Sequence, residues 1–199
     1  MKFNVILFEN FETLDVFGPV EVMGKVDQYY EIDLYSEKGG TVRSSQNVRV
    51  QSIPLAEIAE NGIVLIPGGF GTRKEVDNGP FIDALRRIAE ASQFVLTVCT
   101  GSALLARTGL LSGRRATSNK MAFDWVKEQN KNVLWVRKAR WTKDDKYYTS
   151  SGISAGIDMT LGFVADRHGI DIAERISRGM EYVWNRDADD DPFSSSKSS

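Results

Sequence analysis

The sequence predicts an α/β fold in which a mostly parallel sheet is covered by helices on both faces. Three short, predominantly apolar runs at residues 3–8, 63–66 and 94–98 are typical of strands that are buried on both faces. Between such runs lie segments with apolar residues at helical spacing, of which residues 80–91 are the clearest. Strands that alternate with helices indicate βαβ units, and therefore a parallel sheet.

The other elements follow the same pattern along the chain. After the first strand, Thr13 is placed to cap a helix, which the Gly18-Pro19 pair should break. Two more strands are predicted at residues 32–36 and 48–51, and the polar residues of the second indicate an exposed edge. Later elements are shorter: strands at residues 116–118, 133–136, 139–142 and 147–149, and helices at residues 103–107, 123–128, 157–164 and 172–180.

Length and charge limit the number of domains and the classes of function. With 199 residues, of which 42% are hydrophobic, the chain can form one domain with a sizeable core, predicted over residues 1–187. Residues 188–199 are acidic and Ser-rich and are predicted to form a tail, with the aspartates at 189–191 solvated. The net charge of -2 argues against nucleic-acid binding, and the absence of a block of basic residues argues against binding to a membrane surface.

The cysteine and histidine content argues against disulfides and metal sites. Cys99 is the single cysteine, so no internal disulfide can form, and an N-terminus without a signal-like apolar segment favours a reducing, cytoplasmic location. His168 is the single histidine and lies at an apparent helix end, where an imidazole typically contacts terminal carbonyls. We therefore expect no metal, because too few ligands are available.

Cys99 is the strongest candidate for chemistry. It lies between a buried strand and a helix start, the position of a nucleophile elbow, where the helix N-terminus is expected to lower the pKa of the thiol. Gly101 allows the close backbone approach that such a turn needs. The alternative is that Cys99 is simply a small buried hydrophobic residue.

Two other strand ends carry candidate site residues. Gly68, Gly69 and Phe70 follow a central strand, but their spacing fits neither a P-loop nor a dinucleotide fingerprint. An oxyanion hole formed by the backbone N–H groups of Gly69 and Thr100 is the functional interpretation, and an ordinary tight turn is the alternative. Asp15 lies in apolar company, where burial would raise its pKa and let it exchange a proton; alternatively, it caps a helix.

Four motifs in this order resemble the ThiJ/PfpI superfamily, which is also described as class I glutamine amidotransferase-like. They are L-D-V-F-G-P at residues 14–19, I-P-G-G-F-G at 66–71, V-C-T-G-S at 98–102, and T-S-S-G-I-S-A-G-I-D at 149–158. The resemblance extends from about residue 2 to residue 187. It implies a flavodoxin-like three-layer sandwich, a homodimer, and no metal or organic cofactor.

The first and third motifs are most similar to those of isocyanide hydratases. That resemblance implies that Cys99 adds to the isocyanide carbon, that Asp15 manages protons, and that water then releases an N-substituted formamide from a thioimidate. It also implies that Thr100 hydrogen-bonds the site and that the backbone of Ile153 lies nearby.

One position departs from the pattern of many relatives. Asn119 replaces a histidine that lies near the cysteine in some of them, which argues against histidine-dependent hydrolase chemistry but not against a Cys–Asp mechanism. Asn119 is instead expected to shape the pocket. Two alternatives stay open: action on reactive carbonyls such as methylglyoxal, or a non-enzymatic redox or ligand sensor. AraC-type regulators share the motifs, but the helix-turn-helix region that they carry is not expected here.

Overall fold

An eight-stranded sheet forms the centre of the protein in a computed structural model that describes residues 1–26 and 28–195. Its strands are β1 (Lys2–Leu7), β2 (Glu31–Ser36), β3 (Gly40–Arg43), β4 (Arg49–Pro54), β5 (Ile63–Ile66), β6 (Phe94–Thr97), β9 (Trp141–Asp144) and β10 (Tyr147–Ser150). Two further strands, β7 (Arg115–Ala116) and β8 (Leu134–Trp135), form a small separate ladder.

The strand order in the large sheet is β3-β4-β2-β1-β5-β6-β10-β9. All neighbours from β4 to β10 run parallel, and only the edge strands β3 and β9 are antiparallel to their partners. All four residues of β5 are buried, as expected for a strand covered on both faces. The predicted mostly parallel sheet is confirmed.

Helices flank the sheet in two groups, completing the three layers. They are α1 (Thr13–Gly24), α2 (Thr72–Glu75), α3 (Gly79–Ala91), α4 (Gly101–Arg107), α5 (Phe123–Gln129), α6 (Ala155–His168) and α7 (Ile170–Gly179). Helix α6 packs against α1 and α7, whereas α4 packs against α2, α3 and α5. Within residues 1–26 and 28–195, no helix is long and apolar enough to cross a bilayer.

Two predictions about local structure are wrong. Helix α1 continues through Pro19 to Gly24, although Pro19 has no N–H for the ladder. Packing against α6 offsets that loss, because buried apolar contacts, more than backbone propensity, stabilise helices in proteins. The strand predicted at residues 48–51 is not the sheet edge, since β3 pairs with β4 along its outer side.

The acidic run near the C-terminus also differs from its predicted role. Asp189 and Asp190 are surface residues, but Asp191 is only 1% exposed, so it is not solvated as expected. Its carboxylate lies 3.7 Å from Arg140 Nη1 and 3.8 Å from Lys120 Nζ, and Arg140 also binds Asp158 at 2.7 Å. We call these four residues the ionic cluster. The last four residues of the predicted tail, 196–199, lie outside the described residues.

Candidate active site

The three segments that the sequence singled out meet at one end of the sheet. Because β1, β5 and β6 are neighbouring parallel strands, the loops after Leu7, Ile66 and Thr97 leave the sheet side by side. The chain builds outward from β1 to β2 and β4, then crosses back to β5 on the other side. Ligands of open α/β sheets bind at such a switch point.

Cys99 lies in the sharp turn between β6 and α4, and its backbone is strained. Its φ of 56° falls in the left-handed region, which costs a residue with a Cβ about 1–2 kcal/mol. Its N–H donates to Ser151 O at 3.2 Å, and its carbonyl accepts from the hydroxyls of Ser118 at 2.8 Å and Ser102 at 3.0 Å. Helix α4 starts so close to the end of β5 that a Cβ on Gly101 would overlap the carbonyl oxygen of Ile66. Glycine permits this close approach. This strand–turn–helix geometry agrees with the predicted elbow.

The sulfur of Cys99 faces a ring of hydrogen-bond donors. The backbone N–H and the hydroxyl of Thr100 interact with it, as does the side-chain amide of Asn119. Asn119 Oδ1 accepts from Ala122 N–H at 3.0 Å, which orients the NH₂ group toward the sulfur. Gly152 packs against this ring, and a Cβ there would overlap Asn119 Nδ2 and lie 3.0 Å from the sulfur.

Asp15 is buried beside Cys99 and does not cap a helix. It lies in the first turn of α1, whose N-cap is Glu12, and makes no capping hydrogen bond. Instead, Asp15 Oδ2 accepts from Gly68 N–H at 2.9 Å, whereas Oδ1 is buried without a hydrogen bond in the described part of the chain. Gly68 is packed so closely that a Cβ on it would lie 2.6 Å from the backbone nitrogen of Thr100.

The pKa values of the two acids are coupled. Burial raises the pKa of Asp15 well above its ordinary value; Gly68 N–H opposes this, the charge of Glu12 adds to it, and the interaction with Cys99 opposes it. Burial likewise raises the pKa of Cys99, and the negative charge of Asp15 raises it further, against the hydrogen bonds from Thr100 and Asn119. The prediction of a low-pKa thiol is therefore wrong, because desolvation outweighs the donors at the helix start. The pair favours at most one negative charge.

The predicted oxyanion hole is only partly present. Gly69 N–H donates to Thr100 Oγ1 at 3.1 Å, so it is not free for a substrate, as the sequence interpretation required. The same hydroxyl lies 3.1 Å from Thr72 Oγ1, whose shorter contact, 2.7 Å, is to Gly69 O. Because its oxygen accepts from Gly69 N–H, the Thr100 hydroxyl can donate its own hydrogen to the sulfur. The glycine loop therefore orients Thr100, and the N–H of Thr100 remains as a donor.

A cavity of about 380 Å³ opens onto Cys99, which is 7% exposed. Apolar side chains surround its mouth, with Phe70 as much as 81% exposed. Glu12, a weaker sequence candidate for the proton-transfer role than Asp15, also lines it, as do three residues that were not singled out from the sequence: Arg73, Met121 and Ala122. Predicted site residues that line it are Gly69, Phe70, Cys99, Thr100, Asn119 and Ile153. The alternative that the cysteine is sealed in the core does not hold.

His168 takes no part in this pocket. Its Nε2 lies 2.7 Å from the Tyr30 hydroxyl, and its ring stacks on Tyr29 with 4.4 Å between the centroids. Burial lowers the pKa of His168. The predicted contact with terminal carbonyls is thus replaced by two tyrosines. Over residues 1–26 and 28–195, no three His, Cys, Asp or Glu side chains are grouped as a metal site would require.

The first 166 residues match the model of the DJ-1/PfpI family. Isonitrile hydratase of Pseudomonas putida is 27% identical over 184 residues, which span 92% of this chain and 79% of that protein. The HTH-type transcriptional regulator CdhR of Pseudomonas aeruginosa is 30% identical over 187 residues and 91% of this chain. The chain spans 54% of that regulator's length.

Solved structures with the same fold agree with the family match. A THiJ/PfpI family protein from Pseudomonas syringae superposes with a TM-score of 0.84 at 21% identity, covering 92% of this chain and 76% of that one. Drosophila melanogaster DJ-1beta superposes with a TM-score of 0.79 at 22% identity, covering 92% of this chain and 98% of that one. The predicted flavodoxin-like α/β sandwich is confirmed.

Proposed function

The chain belongs to the DJ-1/PfpI family, and on this basis we propose that it hydrates a small electrophile, an isocyanide, to an N-substituted formamide. The observation that carries the proposal is the buried pair of Cys99 and Asp15, of which Cys99 lines a small cavity that no imidazole lines and Asp15 lies behind it. Such a pair can supply a nucleophile and a proton carrier without a histidine. Similarity to the isonitrile hydratase of Pseudomonas putida supports the same reaction.

The proposed first step joins sulfur to carbon and moves one proton. As the Cys99 sulfur bonds to the isocyanide carbon, the thiol proton passes through the Asp15 carboxyl to that carbon, which gives a neutral thioimidate, R–N=CH–S–Cys. Because the raised pKa values disfavour a free thiolate, sulfur attack and proton transfer are expected to be coupled. The unbonded Oδ1 of Asp15 is available for this transfer.

Water completes the proposed cycle. It adds across the C=N bond, the nitrogen gains a proton, and the carbon–sulfur bond breaks as the carbonyl forms. The products are R–NH–CHO and the Cys99 thiol, so one water is consumed and nothing is oxidised. Thr100 and Asn119 keep the sulfur in place and stabilise its negative charge as it leaves.

The test measures formamide production by the purified protein. With cyclohexyl isocyanide, NMR should show N-cyclohexylformamide, and Cys99→Ala should lose the activity while keeping its fold. Parallel incubation with methylglyoxal distinguishes chemistry on reactive carbonyls. Conversion of methylglyoxal alone, or formamide production that persists in Cys99→Ala, would overturn the proposal.

A ligand-sensing role is the second candidate, favoured by the 30% identity to a transcriptional regulator. In that case Cys99 reacts or binds once without turnover. Equilibrium binding of an isocyanide with no formamide over many hours would support it.

We further propose that the protein is a cytoplasmic homodimer that binds neither nucleic acid nor membrane. Size-exclusion chromatography with light scattering would check the dimer, and cell fractionation would check the location.

A further inference from the structure

Arg73 lines the same cavity as Cys99 and has no role in the chemistry above. It belongs to α2, and its Cζ lies 3.3 Å from the centroid of the Trp125 ring in α5. Stacking on an indole occupies the flat face of the guanidinium and leaves its in-plane N–H groups for other partners.

These N–H groups have no acceptor in the described part of the chain. No carboxylate of residues 1–26 or 28–195 lies within 4.0 Å of the guanidinium, and it donates no hydrogen bond to them. Arg107, close by in α4, differs because it donates to Val76 O and pairs with Asp77. Arg73 is therefore an exposed cation, stacked on Trp125, that lines the cavity and donates to no residue in the described part of the chain.

We infer that Arg73, supported by Trp125, binds a carboxylate on the substrate, so that the cavity takes small electrophiles that carry an anionic group. The electrophile rests on the proposed function, whereas the anion subsite rests only on the position of Arg73. A planar guanidinium can hold a carboxylate with two parallel N–H···O bonds. Glu12 lines the cavity without pairing to Arg73, so the carboxylate is expected at the Arg73 side.

Partial desolvation strengthens this interaction. Although Arg73 is exposed, the surrounding cavity wall partly desolvates its guanidinium and lowers its pKa, whereas negative charge on Cys99 raises it. A bound anion would replace the lost water contacts. It would also be held close to the sulfur without a covalent bond to it.

The rate of Cys99 alkylation by an anionic reagent reports binding at the Arg73 subsite and does not require the protein to hydrate an isocyanide. Iodoacetate and iodoacetamide are nearly the same size and differ in charge, so the ratio of their rates with Cys99 cancels the reactivity of the thiol itself. We expect Arg73→Gln to lower the iodoacetate-to-iodoacetamide ratio about tenfold, the effect of one charge-assisted pair. Lys74→Gln removes the same charge from an exposed neighbour that does not line this cavity, and should change the ratio less than twofold.

Two further variants test the geometry. Trp125→Leu removes the stacking partner but keeps the charge, so the ratio should fall by less than in Arg73→Gln. Arg73→Lys should recover only part of the ratio, because an ammonium cannot form the planar two-point contact. An equal fall in Arg73→Gln and Lys74→Gln, or no fall in either, would overturn the subsite.

Turnover assays separate failure of the subsite from failure of the proposed reaction. The kcat/KM ratio of isocyanoacetate to its methyl ester should fall about tenfold in Arg73→Gln. If both isocyanides are inert but the alkylation ratio falls, hydration is wrong and the subsite stands. If both are hydrated with the same ratio in wild type and Arg73→Gln, the subsite is wrong and hydration stands.

Discussion

Asp15 and Asp158 are both buried from solvent, but they differ in the ion pairs and hydrogen bonds that stabilise their charge. Both are fully buried, and burial raises the pKa of each. Asp158 binds Arg140 through Oδ2 at 2.7 Å, and its Oδ1 accepts from the Tyr182 hydroxyl and Asn185 N–H, each at 3.0 Å. Asp15 accepts a backbone hydrogen bond from Gly68 N–H, interacts with Cys99, and has no ion pair within the described residues.

The difference shows that one fold can contain a buried carboxylate paired with a cation and another that has no cationic partner. In the ionic cluster Arg140 and the hydrogen bonds from Tyr182 and Asn185 offset part of the desolvation of Asp158 and favour its anionic form. At the elbow no cation pairs with Asp15, and only the hydrogen bonds from Gly68 and Cys99 oppose its desolvation, so its protonated form is favoured. Five predictions test these two regions of the molecule, beginning with the largest effect.

Arg140→Met should destabilise the protein by about 3–5 kcal/mol, because it leaves buried carboxylates without their cation. Urea unfolding followed by circular dichroism measures the loss. The double variant Arg140→Met/Asp158→Asn should recover part of it, since the unpaired charge is gone. A loss below about 1 kcal/mol in the single variant would contradict the contrast.

Asp15→Asn should lower the rate of isocyanide hydration by about 10²–10⁴, the usual contribution of a proton-transferring group. Its free energy of unfolding at pH 7 should be equal to or higher than that of the wild type, because the amide does not have to be kept neutral. Kinetics and unfolding on the same samples check both. A variant that loses stability and rate together would show that Asp15 is structural.

The raised pKa of Asp15 predicts how the difference in unfolding free energy between the wild type and Asp15→Asn changes with pH. Above the unfolded pKa of about 3.9, the folded state holds the proton more tightly than the unfolded state. Wild-type stability relative to Asp15→Asn should therefore fall as the pH rises from about 4 toward the folded pKa. Unfolding measured at several pH values tests the sign, and the opposite slope would exclude a raised pKa.

Cys99→Gly should be more stable than Cys99→Ala by about 1 kcal/mol, because glycine adopts a φ of 56° without the steric penalty of a Cβ. Both variants lack the thiol, so the comparison isolates backbone strain. Thermal unfolding of the two proteins measures the difference. Equal stability would mean that the elbow stores no strain.

The last prediction concerns Lys120, whose pKa burial lowers to about 8. Between pH 8 and 10 the unfolded state binds more protons at this lysine, so wild-type stability should rise relative to Lys120→Met. Lys127→Met, which removes an exposed lysine, serves as the control and should show no such trend. A flat difference for Lys120→Met would contradict the burial effect.

Much of the candidate site could be predicted because it lies at strand ends. Runs of apolar residues locate β1, β5 and β6, and parallel strands bring their carboxyl ends together, so Asp15, Gly68 and Cys99 had to converge. Thr72 and Arg73 were missed because they belong to a four-residue helix with no periodic signal. Their roles depend on Thr100 and Trp125, which are distant in sequence.

The sequence also did not predict the ionic cluster. Asp191 belongs to an acidic run typical of solvated surface, and its partners Lys120 and Arg140 lie 71 and 51 residues earlier. No local pattern marks an aspartate that folds back to meet two cations. Only the packing of the C-terminal segment against this region buries it.

The sequence alone determined the layered α/β architecture and the presence of a cysteine turn opposite an aspartate, because periodicity and strand-end position are local properties of the chain. The tertiary structure determined the direction of the pKa shifts of Asp15 and Cys99 and placed the charged side chain of Arg73 in the cavity wall. Desolvation and ion pairing depend on which residues surround a group in space. The thiol expected to ionise readily instead has a raised pKa, and the aspartate expected in solvent is buried between two cations.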